Sequence, residues 1–591
     1  MTSARGVQAA ALLGGAACLF ALAAVNAPGP DAAHRLQFGL LASGVILLAF
    51  GFGVGSVLRR GRLSAQGSLL TGILLLAAAL RLWQLETAVH FYVDEGNFVE
   101  GILHLRTEPN IRLMGPFNYV AAFTWVYPYL QWLSSSILGS NLLALRAVSA
   151  AFGTLTVAAL YRLGRVLFGA RVGLLAALAL AVFPPHLHFS RLGLNNVADP
   201  LFGVLALVFL TTAIRQKRMR DYALAGLMLG LTQYFYEGGR LLYPVLLLSW
   251  GLIAAWAWRG QLPGLLLTGL TAALAALPVY STLLAWDISL VTRLNRRGFE
   301  ADYWRNLLLA ADGGGALWTH LREHVIPPFL HYLTLPDQGA FFYGGHTALI
   351  LPPFVPVFFG GLLAALRRSR PGFVLLILWL ALVALGNSLI EDSVWTARYV
   401  AAFPALALAL GLGVDAALRW LSSRILGRGG NWQIGRPLVA VGLLVAAVVY
   451  PVGYYFGPHL TAYQTQIRPN HDQQDVVFRL RDLPPETRVI WITDDPDLWM
   501  PLLVFLTRYW GMPDFEPELM SPGEAQNGTR LDDLDPNVTY AFFVEQEDTV
   551  TQALLQARLG LGEPRSSPYR VPREKQYVLL LDLRRFPGLD G

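Results

Sequence analysis

LQFGLLASGVILLAFGFGVGS, residues 37–57, contains no charged side chain. A charge at mid-bilayer costs about 2.5–3.5 kcal/mol on insertion scales. About 20 apolar residues, at 1.5 Å each, cross the hydrocarbon layer. The stretch therefore reads as a membrane-spanning helix. Runs of the same kind recur at 7–26, 67–85, 142–161, 172–188, 197–214, 221–236, 240–257, 262–282, 347–366, 373–390, 399–418 and 437–456. The chain is 54% hydrophobic and 14% charged, where an ordinary soluble protein carries about 25% charged residues. The fold class expected is a polytopic α-helical membrane protein with about thirteen transmembrane helices and a small soluble α/β domain at its C-terminal end.

Charge sorts these spans into an orientation. One set of loops holds Arg5; Arg59, Arg60 and Arg62; Arg162, Arg165 and Arg171; Arg215, Lys217, Arg218 and Arg220; Arg259; Arg367, Arg368 and Arg370; and Arg419, Arg424, Arg428 and Arg436, with no Asp or Glu between them. The other short loops mix acids and bases. The positive-inside rule places the basic set, and the N-terminus, in the cytoplasm. The remaining loops and the C-terminal region then lie outside a plasma membrane. The net charge of +6 and pI near 9.3 are accounted for by these membrane-edge arginines, so no nucleic-acid partner is expected. Cys18 is the only cysteine, which excludes internal disulfides and thiolate clusters. The first run is long enough to span and reads as a retained helix rather than a cleaved signal.

The chain divides into two N-terminal spans (1–66), a membrane region (67–456) with long outer segments at 86–141 and 283–346, and a tail (457–591). The first outer segment is rich in Trp and Tyr and interrupted by Pro128, which favours helices along the interface over a fourteenth span. In the tail, RVIWIT (488–493), TYAFFV (539–544) and QYVLLLDL (576–583) read as strands. LWMPLLVFLTRYW (498–510) and TVTQALLQARLG (549–560) read as helices. A domain of that size and pattern is α/β.

Ionisable residues at a membrane edge that are not simple anchors mark function, and four outer clusters qualify. HFYVDEGNFVEG (90–101) holds the adjacent acids Asp94 and Glu95. Adjacent residues point different ways, so one acid can face a substrate while the other holds a structural arginine. HFSRLGLNNVADP (188–200) holds Arg191, Asn195, Asn196 and Asp199; ahead of Pro200, Asp199 also reads as a helix cap. QYFYEGGRLLYP (233–244) holds Tyr236, Glu237 and Arg240. EDSVWTARYVAAFP (391–404) holds Arg398, whose planar charged fork suits a phosphate and whose plainer role is an interfacial anchor beside Trp395 and Tyr399. Together they offer a general base, further acids and fixed cations on one face. Those are the groups needed to move a substituent from a lipid phosphate to a hydroxyl. A cavity bordered by Asp94, Asp199 and Arg398 is the corresponding structural expectation.

These segments resemble the GT-C superfamily of membrane glycosyltransferases. The likeness is greatest to the bacterial branch of protein O-mannosyltransferases and lipid A aminoarabinose transferases. It is carried by DEGNFVEG (94–101), LLALRAVSAAFGTLTVAALYRLGRVLFG (142–169), FPPHLHFSRLGLNNVADPLF (183–202) and ARYVAAFPALALALGLG (397–413). It covers roughly residues 67–418. The resemblance implies Asp94 as catalytic base, Glu95 as its neighbour in the acidic pair, Asp199 as a second acid near the acceptor and Arg398 as a ligand of the donor phosphate. Arg191, Arg240 and Tyr236 are further phosphate-binding candidates from the residues themselves. The resemblance also implies a polyprenyl-phosphate-linked sugar donor, a glycan, lipid or protein acceptor, and inverting transfer on the outer face. No cofactor or metal is expected. Relatives that use a divalent ion direct attention to His90 and His346. Two spans precede the one leading to Asp94, whereas the relatives usually place the acidic loop after the first. The alternative function is a transporter or flippase of a lipid-linked sugar. It requires ionisable groups at mid-membrane, and the spans hold few, Asp415 being an exception near the basic side.

Overall fold

The computed structural model describes residues 2–54, 65–87, 93–117, 124–257, 261–290, 295, 297–309, 314–339, 342–426, 435–465, 473–484, 486–494, 500–512, 518–568 and 577–582. His90, Arg59, Arg60, Arg62, Arg259 and Arg428 lie outside these residues.

A helix stands at each of the thirteen expected spans. They are α1 (Thr2–Val25), α2 (His34–Gly51), α3 (Ala65–Leu82), then, after the outer helices α4 (Val93–Thr107) and α5 (Val126–Leu138), α6 (Leu142–Phe168), α7 (Ala170–Val182), α8 (Asp199–Gln216), α9 (Met219–Leu231), α10 (Glu237–Ala257), α11 (Leu262–Ala285), α12 (Val355–Arg368), α13 (Arg370–Asn387), α14 (Phe403–Leu426) and α15 (Gly435–Tyr454). Among the described residues, nine helices are long and apolar enough to cross a membrane. Of the others, α7, α9 and α12 have only 13, 13 and 14 residues. The chain is a multi-pass membrane protein. Helix α5 also has 13 residues, about 20 Å at 1.5 Å per residue.

The centre of the bundle is made by α14, α8 and α6, whose spanning windows are 83%, 78% and 67% buried, while those of α3 and α15 are 11% buried. Hydrocarbon supplies no hydrophobic drive between helices, so close backbone approach must. The small residues of α14 provide it. A Cβ on Gly413 would lie 1.9 Å from the Val357 carbonyl oxygen, and one on Gly361 would lie 1.9 Å from that of Ala409. Side chains at these positions would drive α12 from α14. At the basic end, Asp415 is fully buried and meets three arginines: Arg171 at 2.7 Å, Arg419 at 2.9 Å and Arg368 at 2.5 Å. The acid that stood out in the sequence ties three loops of the basic set together.

The tail forms a four-stranded sheet in the order β2-β1-β3-β4 from β1 (Arg488–Ile492), β2 (Glu518–Met520), β3 (Tyr540–Glu545) and β4 (Tyr577–Leu581). The first three are parallel and β4 is antiparallel to β3. Strand alternation splits the side chains between two cores. Val489, Trp491, Phe543 and Leu579 join the core continuous with the membrane region. Ile490, Ile492, Phe542 and Leu580 pack a second core with Leu555 of α17 (Thr549–Leu559). Helix α16 (Met500–Tyr509) docks on the membrane part, where the Tyr509 hydroxyl donates to the Asn141 carbonyl at 3.1 Å.

Candidate active site

The site is organised by the turn at 190–199. Arg191 is fully buried and points back at the end of α3. Its Nη1 donates to the carbonyls of Leu80 (2.8 Å), Trp83 (2.7 Å) and Arg81 (3.3 Å), and Nη2 to Gln84 (3.4 Å). Helix C-termini leave carbonyls without partners and carry partial negative charge, so a buried guanidinium is a fitting cap. Arg191 thus fixes where α3 ends and where the chain turns towards the acid pair.

That pair opens α4, where carboxylates oppose the positive helix end. Glu95 is fully buried. It accepts from Arg146 Nε at 2.8 Å and Arg146 Nη2 at 2.7 Å, a bidentate pair, and from the Gly193 N–H at 2.6 Å. Arg146 Nη1 donates to the Leu85 carbonyl at 2.8 Å. Asp94, about 100° further round the helix, is half-buried. One acid thus holds a structural arginine and the other faces elsewhere.

The same turn holds the other two clusters. Asn195 donates to the Phe235 carbonyl at 2.8 Å and Asn196 to the Ala397 carbonyl at 3.5 Å, next to Tyr236 and Arg398 respectively. Asp199, fully buried, accepts from the backbone N–H of Tyr236 at 3.0 Å and of Gly239 at 2.8 Å. It caps the start of α10 rather than its own helix. A Cβ on Gly239 would lie 2.4 Å from the Asp199 carboxylate, so only glycine permits the cap. Arg240 is buried with its guanidinium 5.2 Å from the Tyr280 ring. Only three residues of chain, at most about 10 Å, separate the anchor of Glu95 at Gly193 from the anchor of the Arg398 segment at Asn196.

Arg398 lies 4.9 Å from the Trp395 ring, donates through Nη1 to the Asp392 carbonyl, and has Nη2 3.5 Å from the Asp392 carboxylate. Its turn is braced by Asp337, which accepts from Gly339 N (2.9 Å), Gly344 N (3.2 Å) and Thr396 N (3.4 Å). Removal from water pushes the Asp337 carboxyl up to about 6, against the pull of these donors. His331, buried with Nε2 3.2 Å from the Thr396 hydroxyl, is pushed down to about 4 by the same desolvation.

Between α10 and α13 lies a cavity of about 510 Å³. Tyr236, Glu237, Asn387 and Arg398 line it, and Leu241, Val245, Leu385 and Leu389 form an apolar wall exposed on the bundle surface. Of the residues singled out from sequence, Tyr236, Glu237 and Arg398 line the cavity. Asp94, Glu95, Asp199, Arg191 and Arg240 do not. This cavity, taken by itself, is thus bordered by Arg398 and not by Asp94 or Asp199. Asp199 gives its carboxylate to the backbone of Tyr236 and Gly239, and Glu95 gives its own to Arg146 and Gly193. His346 is exposed, and the described residues contain no group of three or more His, Cys, Asp or Glu placed to hold a metal. Arg146, Gly193 and Asp337 are site-building residues that sequence reading did not pick out.

Residues 124–323, about a third of the chain, match the family described as Dolichyl-phosphate-mannose-protein mannosyltransferase. The match contains the organising turn and Arg240 and stops short of Asp94 and Arg398. The resemblance to membrane glycosyltransferases of the GT-C superfamily therefore stands. Among solved structures, the chain is similar to the oligosaccharyltransferase of Archaeoglobus fulgidus in the apo form (16% identity, TM-score 0.47, covering 86% of this chain and 75% of that one). It is also similar to ArnT from Cupriavidus metallidurans in the apo state (15%, 0.49, 88% and 98%) and bound to undecaprenyl phosphate (15%, 0.46, 88% and 98%). No curated protein matches.

Proposed function

We propose that the protein transfers a sugar from a polyprenyl-phosphate-linked donor to a hydroxyl acceptor at the outer face of the membrane, with inversion and with Asp94 as general base. The observation that carries the donor assignment is the cavity between α10 and α13. It has an arginine and a tyrosine among its polar lining residues and an apolar wall exposed where lipid would lie. An isoprenoid phosphate has the same division into charged head and apolar tail. The family match over 124–323 supports a lipid-phosphate sugar as the class of donor.

In this reading the acceptor O–H gives its proton to the Asp94 carboxylate as its oxygen bonds to the anomeric carbon. The carbon–oxygen bond to phosphate breaks, and the electron pair leaves on the phosphate, where Arg398 stabilises it. One displacement inverts the anomeric centre. Glu95 and Asp199 are positioning residues, the first through Arg146 and the second through the start of α10. The reaction is proposed to run without a metal. The acceptor class is a glycan, a lipid or a protein hydroxyl.

Arg398→Ala is expected to weaken binding of the polyprenyl-phosphate donor by about 10- to 100-fold, since a charge-assisted contact is worth roughly 1.5–3 kcal/mol. Titration of purified protein with donor lipid measures it. Unchanged donor affinity with unchanged thermal stability would remove Arg398 from the site. The tail is proposed to lie on the same outer side. A reporter fused after Gly591 that works only outside the cytoplasm should be active, and activity solely of a cytoplasmic reporter there would overturn the orientation.

A further inference from the structure

A second cavity, of about 350 Å³, lies between α2, α4 and α5. His34, Arg35, Arg106 and Trp132 line it, and no carboxylate is among its lining residues. Neither arginine is in an ion pair among the described residues. Arg35 stands 5.2 Å from the Trp132 ring; Arg106 stands 5.2 Å from the Tyr509 ring and donates to the Ser140 hydroxyl at 2.7 Å. His34 is 4% exposed and its Nε2 lies 3.0 Å from the Leu105 carbonyl oxygen. A carbonyl only accepts, so Nε2 carries the proton. Nδ1 is buried and has no hydrogen-bond partner.

Two guanidinium groups in one cavity without an acid repel each other, and a bound anion relieves that repulsion. Phosphate suits them, because its oxygens match the planar fork and the arginines stay charged at any physiological pH. Tryptophan beside them fits a headgroup depth. Leu36, next to Arg35, is 55% exposed, and Ile137, on the same helix as Trp132, is 73% exposed, so apolar surface for an acyl chain flanks the cavity. We propose that this cavity binds the phosphate headgroup of an anionic membrane lipid through Arg35 and Arg106. The site is separate from the donor cavity and does not rest on the glycosyltransfer reading. Arg106 and Asp94 stand about 18 Å apart along α4, at 1.5 Å per residue. The lipid would therefore steady the helix that carries Asp94 without reaching it. Arg106 also joins the cavity to α16 of the tail.

Native mass spectrometry of the full-length protein with dioleoylphosphatidylglycerol, with dioleoylphosphatidylcholine and with glycerol 3-phosphate distinguishes the possibilities. One phosphatidylglycerol should be retained in preference to phosphatidylcholine. Arg35→Gln with Arg106→Gln should weaken that retention about tenfold or more, and the paired lysine substitutions should keep part of it. Should the double variant not fold, Arg35→Gln alone, at an exposed side chain, gives the same reading with a smaller shift. Displacement of the lipid by glycerol 3-phosphate at equal concentration would assign the cavity to a soluble phosphate compound and overturn the lipid proposal. Equal retention of both lipids, or unchanged retention in the folded variants, would overturn the site.

Discussion

Arg146→Met is expected to lower the unfolding free energy by about 3–5 kcal/mol, the cost of leaving one partner of a buried ion pair alone. Glu95 and Arg146 are both fully buried and joined by two short hydrogen bonds. The methionine leaves the Glu95 carboxylate with only the Gly193 N–H among these contacts, and it deprives the Leu85 carbonyl of its donor. Because these contacts tie α4 to α6 and to the organising turn, sugar transfer should fall with stability. The double variant Glu95→Gln with Arg146→Met should recover part of the loss, since removing both charges relieves the desolvation penalty. Thermal unfolding in detergent, followed by tryptophan fluorescence, measures both. A single variant as stable as the parent would show that the pair does not hold α4.

Asp94→Asn is expected to act differently. Asparagine keeps the shape of the side chain and cannot take a proton from a hydroxyl, so transfer should slow by about 10²–10⁴. Donor binding should persist, because Arg398 and Tyr236 line a cavity that Asp94 does not. Folding should persist as well, because Asp94 is only half-buried while Glu95 carries the ion pair. The contrast between these neighbours is the informative part: one substitution costs stability, the other costs only rate.

That one of the two adjacent acids would hold an arginine was legible, since adjacent residues diverge on a helix; which of them does so was implied by the resemblance and not by the residues themselves. Arg146 decides it. That arginine sits in the first turns of an apolar span, and a buried cation there demands an acid; that signal was present in LLALRAVSAAFG. The apolar runs located a helix at each expected span. The alternating apolar runs at 488–493, 539–544 and 576–583 gave β1, β3 and β4. Strand β2 has three residues, Glu518–Met520, too few for an alternation to register. The role of the turn at 190–199 is tertiary: Gly193, Asn195 and Asn196 meet partners 40 to 201 residues away, and no local pattern encodes that. Asp199 read as a cap, but of the helix it begins rather than of α10. The cavity between α10 and α13 was not legible in the sequence either, because its walls come from two helices that are each an ordinary apolar helix on their own.

The most direct measurement is single-turnover release of polyprenyl phosphate from a polyprenyl-phosphate sugar, by protein in lipid nanodiscs supplied with cell-envelope acceptors. Mass spectrometry follows the carrier lipid, with donor affinity measured on the same samples. The parent protein should release the carrier, and Asp94→Asn should bind the donor equally well yet release it about 10²–10⁴ times more slowly. Release by Asp94→Asn at the parent rate would contradict the assignment of Asp94 as the base, and failure of the parent protein to bind the donor would contradict the reading of the α10–α13 cavity.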